Sequence, residues 1–268
     1  PKRILVVGDA IEDVWVHGEL HGCQDGCQKF VETDCYETPG GAAGAARQLD
    51  NWHSNATVNN MHSNWVSEKT RYMVGNTIVF RHDAESPPAM VEFAHKDILR
   101  RLSDQDAVLI SDYDKGFLTP EFIRQVIDYC NTVGIPVVAD VKREPSVYTG
   151  AILKCNNDYY NAYQKVLLNV NPVVRTFGAE YPDIYGVKQN YEHDPQLVRV
   201  KCINHVGAGD CFAAHLTLGL AHGLTLEESA AIAHSAGRVY VQHPHGRPPR
   251  PEEIRADMLQ SCSTTSTT

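Results

Sequence analysis

The chain has 268 residues, 43% of them hydrophobic, and a formal net charge of -9 at pH 7, which is enough apolar content for a sizeable buried core. The acidic balance and the lack of any basic run exclude a non-specific nucleic-acid surface. No apolar stretch approaches the roughly 20 residues that cross a bilayer, so no membrane span is expected. Pro1-Lys2-Arg3 leads straight into a strand-like segment instead of a signal peptide, which predicts a cytoplasmic protein. Its eight cysteines are then expected to be free thiols.

Residues 4–7 are a short apolar run ending at Gly8-Asp9, the pattern of a buried parallel strand that delivers a polar residue at its carboxyl end. Residues 14–38 mix Gly, Cys and Gln with apolar positions and predict short exposed strands. His17, His21, Cys23, Cys27 and Cys35 fall here, but without the Cys-x-x-Cys knuckle of a zinc site. Pro39-Gly40-Gly41 breaks the chain before an Ala-rich helix over 42–49. Residues 57–58 and 71–80 look extended, the latter as one arm of a small antiparallel sheet that forms a flap with 14–38.

The second half has βαβ rhythm: strands over 107–110, 135–139 and 151–153, with a helix over 119–132 carrying a Thr cap, Pro120 in its first turn and Gly134 beyond its end. Further strands are expected at 173–174 and over 198–203. Helices follow over 211–222 and 226–241, the latter with Glu227 and Glu228 at its positive dipole end. The Ser/Thr-rich tail 261–268 is expected to be disordered.

The densest chemistry lies at Gly207-Ala208-Gly209-Asp210. A glycine-rich turn opening a helix leaves backbone N–H groups free to hold an anion. Asp210 beside them suits a base that takes a hydroxyl proton during phosphoryl transfer. The plainer alternative is a glycine turn with Asp as an ordinary cap. Lys115 and Lys142 each follow a predicted strand, at the carboxyl edge where α/β sheets present ligands, and either could balance phosphate charge. A dinucleotide-binding oxidoreductase is disfavoured because residues 6–10 lack Gly-x-Gly-x-x-Gly.

Taken in order, ILVVGDAIED at residues 4–13, PGGAA at 39–43, LISDYDKG at 109–116, ADVK at 139–142, TFG at 176–178 and GAGDCFA at 207–213 resemble the PfkB, or ribokinase-like, carbohydrate kinase family. The likeness is strongest to its heptose 7-phosphate kinase branch and runs nearly end to end. It implies a three-layer α/β fold, a mostly parallel sheet with helices on both faces and a small β lid. It further implies one domain over 1–260, with the lid inserted at about 14–38 and 66–93, and the exposed strand edges of that flap predict a homodimer through it. The implied cosubstrates are ATP with Mg2+ and a sugar or sugar phosphate.

By the same resemblance Asp13, Gly40 and Gly41 contact the sugar, and Arg81 in the lid reaches a phosphate carried by it, with Lys115 beside them. Lys142, Thr176, Gly178 and His234 flank the nucleotide, and Asn156 positions magnesium through water. The sequence departs from the family at several points. Tyr159 stands where Asn-x-x-Glu has its glutamate, and a phenol is a poor magnesium ligand. Gly44 and Asn204 replace a sugar-binding asparagine and an aspartate, and His234 replaces an asparagine. Residues 51–71 are too short for the full set of βα units. A ribokinase-fold protein that binds sugar or nucleotide without phosphoryl transfer is the rival expectation.

Overall fold

The structure, a computed structural model, describes residues 1–52, 56–62, 67–85, 91–170, 172–186 and 200–264. Strand β1 (Lys2–Gly8) passes through Asp9 into the long β2 (Ala10–Gln24), and a tight turn returns as β3 (Cys27–Gly40). Helix α1 (Gly41–Arg47), β4 (Ala56–His62), the hairpin β5 (Ser67–Val74) and β6 (Thr77–Ala84), and α2 (Val91–Arg101) complete the first half. The second half runs β7 (Ala107–Ser111), α3 (Pro120–Val133), β8 (Val137–Asp140), β9 (Ile152–Asn156), α4 (Asn157–Val170), β10 (Val173–Phe177) and β11 (Glu180–Tyr185). Helices α5 (Ala208–Ala221), α6 (Leu226–Val241) and α7 (Pro251–Thr264) close it.

Seven strands form the main sheet in the order β11-β10-β9-β8-β7-β1-β4, with β11 its antiparallel member. The pleat sorts side chains onto two faces. Leu5, Val7, Val108, Ile110 and Leu153 pack under α2, α3 and α4. Ile4, Val6, Leu109, Val138 and Val174 pack under α1, α5 and α6. The expected three-layer architecture is therefore present. Helix α3 shows how local sequence makes a layer: the Thr119 hydroxyl accepts from Phe122 N–H, Gly134 ends the helix at φ 78°, and Ile123, Val126, Ile127 and Cys130 bury one face. Each such side chain contributes about 1.5–3 kcal/mol. Helix α6 is held by a capping box between Thr225 and Glu228.

A second sheet, ordered β3-β2-β5-β6, forms the flap. It has two long strands of 15 and 14 residues where short ones were expected, because both faces are largely wet and the apolar alternation is broken. Residues 71–80 are not one arm but the ends of a hairpin turning at Gly75-Asn76, with Gly75 at φ 57°. Residues 91–93 begin α2, whose Ile98 packs into the main core, so the described part of the second flap segment ends at Ala84. Residues 66 and 86–90 of that expected segment lie outside the described residues.

Two further expectations change. The described part of the 198–203 segment is not a strand: Ile203 and Asn204 N–H both donate to Val241 carbonyl, so the segment is fastened to the end of α6 and Ile203 is exposed. Residues 198 and 199 lie outside the described residues. The tail expected to be disordered is helical through Thr264, while residues 265–268 lie outside the described residues. Among the described residues, no helix is long and apolar enough to cross a membrane.

Candidate active site

The carboxyl ends of β1, β7, β8, β9 and β10 carry Asp9, Asp112, Asp140, Asn156 and Phe177 at or just beyond them, and Asp140 and Asn156 line one cleft with the first turn of α5, as open α/β sheets do with their ligands. Gly207 enters α5 at φ 86°, and a Cβ there would lie 2.4 Å from the Tyr240 hydroxyl. That hydroxyl donates to Val206 carbonyl at 2.6 Å, so the turn is clamped and position 207 has room only for glycine. Ala208 N–H donates to His205 carbonyl. Among the described residues, Gly209 and Asp210 N–H have no acceptor, which leaves two donors at the positive end of a helix.

Asp210 is buried at 6% exposure, and its Oδ1 accepts from the Tyr113 hydroxyl at 2.8 Å. Burial above all, then the negative charge of Asp140, pushes its carboxyl up to about 7, against the hydrogen bond from Tyr113 and the Lys154 ammonium, which lower it. A carboxyl in this range is matched to proton abstraction near neutral pH. Lys154 Nζ pairs with Asp140 Oδ2 at 3.0 Å, both buried. A Cβ on Gly209 would stand 2.8 Å from that ammonium, so glycine lets the cation approach the helix start. The Tyr113 ring is flanked by Lys69 Nζ at 5.0 Å and Lys142 Nζ at 5.1 Å, one from the flap and one from the main sheet.

On the flap side, Asp13 Oδ1 accepts from Arg71 Nη1 at 2.6 Å, and the Arg71 guanidinium lies 4.8 Å from the centre of the Trp15 ring. A Cβ on Gly40 would stand 2.4 Å from Asp13 Oδ2, and one on Gly41 2.3 Å from Asp9 carbonyl. Asp13, Gly40 and Asp210 line one narrow pocket, with Gly44, Gln48 and Asn204. Asp9 organises the neighbouring loop by accepting from the N–H groups of Tyr113, Lys115 and Phe117. Lys115 faces a separate open recess, where it pairs with Glu85. Arg81 pairs with Asp83 on the exposed strand β6 and stands with neither group.

On the other side of Asp210 a cleft of about 710 Å³ is lined by Lys142, Asn156, Thr176, Gly178 and His234, so these five expected residues come together. Gly178 has φ 66°. Thr176 Oγ1 donates to Cys155 carbonyl, and His234 packs 4.9 Å from the Tyr181 ring. The residues at the Asn-x-x-Glu position do not fit a magnesium ion. Asn156 Oδ1 accepts from Tyr159 N–H at 2.9 Å, capping α4, and the Tyr159 hydroxyl donates to Arg143 carbonyl. Among the described residues, no three His, Cys, Asp or Glu side chains are grouped to hold a metal. Asn156→Ala is therefore expected to cost about 1 kcal/mol of stability through the lost cap, seen in urea unfolding, with no change in the magnesium concentration giving half-maximal turnover.

Four members of the site were not singled out from the sequence: Tyr113, Asp140, Lys154 and Arg71. Lys154 left one usable signal, a lysine inside an otherwise apolar strand two residues before Asn156 and so on the same face. Arg71 and Tyr113 left none, because their partners are 58 and 97 residues away.

Comparison with known proteins bears on this geometry. Residues 143–253 match the family model described as pfkB family carbohydrate kinase. The chain is 26% identical to the bifunctional protein HldE of Koribacter versatilis, over 90% of this chain and 60% of that protein. It is 27% identical to HldE of Citrifermentans bemidjiense, over 72% and 44%. The chain thus spans less than two thirds of the length of these curated relatives. Among solved structures, phosphofructokinase-2 of Escherichia coli in complex with potassium superposes with a TM-score of 0.73 at 16% identity, covering 97% of this chain and 99% of that one. Arabidopsis thaliana ribokinase complexed with ribose and ATP gives 0.70 at 14% identity, covering 96% and 98%.

Proposed function

We propose that this chain, whose residues 143–253 match the pfkB family of carbohydrate kinases, transfers the γ-phosphoryl group of ATP to a hydroxyl of a sugar or sugar phosphate. The observation that carries this is the buried carboxyl of Asp210, pushed up to about 7, between a narrow pocket holding Asp13 and a larger cleft holding Lys142. The acceptor hydroxyl lies against Asp210, which takes its proton as the oxygen attacks the γ-phosphorus and the bond from that phosphorus to the bridging oxygen breaks, releasing ADP. The unpaired N–H groups of Gly209 and Asp210, with the Lys154 ammonium, stabilise the charge that grows on the transferred group. Lys142 adds a cation on the nucleotide side. Tyr159, its hydroxyl held by the Arg143 carbonyl, would give a magnesium ion carried by the nucleotide no ligand.

A heptose phosphate is the proposed acceptor class, supported by the HldE relatives at 26–27% identity and by the sequence motifs. A cytoplasmic setting accompanies the use of ATP. The test is a panel of sugars and sugar phosphates with ATP and magnesium, followed by ADP formation. Turnover on a phosphorylated heptose above all others is the expected result. A second possibility, binding without transfer, is favoured by the tied-down Tyr159, and ATP binding with no ADP from any acceptor would establish it.

A homodimer through the flap belongs to the same proposal. Leu20, Val31, Ile78, Val79 and Phe80 are exposed on its sheet, Phe80 at 60%, and such apolar surface is a usual mark of association. Light scattering is expected to give twice the chain mass, and Phe80→Glu with Ile78→Lys to return it to the single chain.

A further inference from the structure

We propose that the last turn of α1 forms the distal recognition end of the acceptor pocket, where Arg47 takes an oxyanion carried by the acceptor and the Gln48 amide takes a neighbouring hydroxyl. The inference rests on the kinase assignment for Asp210 and names the residues that select an anionic acceptor. Arg47 and Gln48 line the same narrow pocket as Asp13 and Asp210, and neither lines the nucleotide cleft.

Charge pairing singles out Arg47. Of the cations lining the three cavities around the site, Lys115 pairs with Glu85, Arg143 with Asp112 and Asp114, Lys154 with Asp140 and Arg238 with Asp257. Among the described residues, neither Arg47 nor Lys142 forms a direct ion pair, and Asp50 feels the Arg47 charge only at longer range, without a direct contact between the two. Lys142 faces the nucleotide cleft, so Arg47 is the cation left for a charge on the acceptor. Its planar fork suits phosphate or carboxylate oxygens. Arg81, expected in this role, already holds Asp83 and lines none of these cavities.

Gln48 supplies the independent observation. It is 3% exposed, and its Oε1 has no hydrogen-bond donor among the described residues. A buried, unpaired amide oxygen is costly and calls for a partner; the free space of about 20 Å³ in this pocket has room for a single hydroxyl group to donate to it. Gly44 explains why the contact comes from here. A Cβ at Gly44 would lie 2.7 Å from Pro39 carbonyl, so a side chain at 44 cannot enter without moving the end of β3. Gln48 lies one helical turn further along the same face and supplies the polar contact that a side chain at 44 would otherwise give.

The test uses calorimetric binding of matched acceptors, a neutral sugar, its phosphate ester and its sugar acid, to the wild-type chain, Arg47→Ala, Gln48→Leu and Lys115→Ala. Arg47→Ala is expected to weaken the anionic acceptors by about ten- to a hundredfold while the neutral sugar keeps its affinity. Gln48→Leu is expected to weaken all three alike, and Lys115→Ala to leave the preference for the anion in place. A larger loss for the ester than for the acid assigns Arg47 to phosphate, and the reverse to carboxylate. Should Arg47→Ala fail to fold, Arg47→Gln removes the charge and keeps the stem. Retention of the anion preference without the Arg47 charge, or its loss in Lys115→Ala, overturns the proposal. ADP formation is read in parallel: turnover without an Arg47-dependent preference sinks this inference alone, whereas Arg47-dependent binding without turnover sinks only the kinase assignment.

Discussion

Asp210→Asn is expected to lower turnover by about 10²- to 10⁴-fold with little change in ATP affinity, because the amide keeps the shape of the carboxyl and cannot take a proton. Single-turnover ADP formation and nucleotide titration separate the two quantities. The pH profile provides a second reading. The base must be ionised, so kcat/KM should rise with pH through about 7, the range to which burial and Asp140 push this carboxyl. Tyr113→Phe removes a hydrogen bond that lowers it, and should move that rise to higher pH.

The same substitution should stabilise the fold. A carboxyl with a folded-state value near 7 and an unfolded one near 4 binds more protons when folded between those values, so its contribution to stability falls as pH rises across that window. Above it the burial of the charge costs on the order of 4 kcal/mol. Asp210→Asn removes that cost. A higher urea midpoint for the variant at pH 8, with the gap closing towards pH 4, is the expected outcome; equal midpoints at pH 8 would contradict it.

Arg71→Ala is expected to cost about 3–5 kcal/mol, since it leaves the Asp13 carboxylate buried beside a missing partner. The pair is nearly inaccessible, at 7% and 8% exposure, so solvent does not rescue the charge. The loss is read as a lower urea midpoint and a flap cleaved more readily by protease. Replacing both members, Asp13→Asn with Arg71→Met, should recover most of the stability while acceptor binding stays impaired. That split identifies Asp13 as a ligand of the acceptor as well as half of an ion pair. If the double variant binds the acceptor normally, Asp13 does not contact it.

Helix α6 was legible to the residue because its determinants are local: Thr225 and Glu228 cap one another, and an apolar face repeats behind them. The start of α5 was legible only to within a turn: the helix begins at Ala208, three residues before the expected Cys211, so Asp210 lies inside its first turn and not ahead of it. The segment ending at Ile203 misled, because its apolar residues looked like a strand while its described backbone bonds go to Val241, on a distant helix. The flap hairpin at Gly75-Asn76 carried a recognisable turn dipeptide that the extended look of residues 71–80 obscured. Within the site, Asp13, Lys142 and Asp210 stood out through their motifs, but the pairings that set their behaviour, Asp13 with Arg71, Asp140 with Lys154 and Asp210 with Tyr113, join strands and loops that only the tertiary fold brings together.

The passage of β1 through Asp9 into β2 has a mechanical meaning. At about 3.3 Å per residue, Asp13 lies roughly 13 Å beyond Asp9 and the tip of the flap roughly 50 Å beyond it. A rigid tilt of about 10° about Asp9 then carries Asp13 through about 2 Å but the tip through about 9 Å. Asp9 is also where the backbone of Tyr113, Lys115 and Phe117 is anchored, so the fulcrum and the loop bearing the partner of Asp210 share one carboxylate. Any such tilt would move the far end of the flap several times further than Asp13, so the residues nearest the chemistry would shift least.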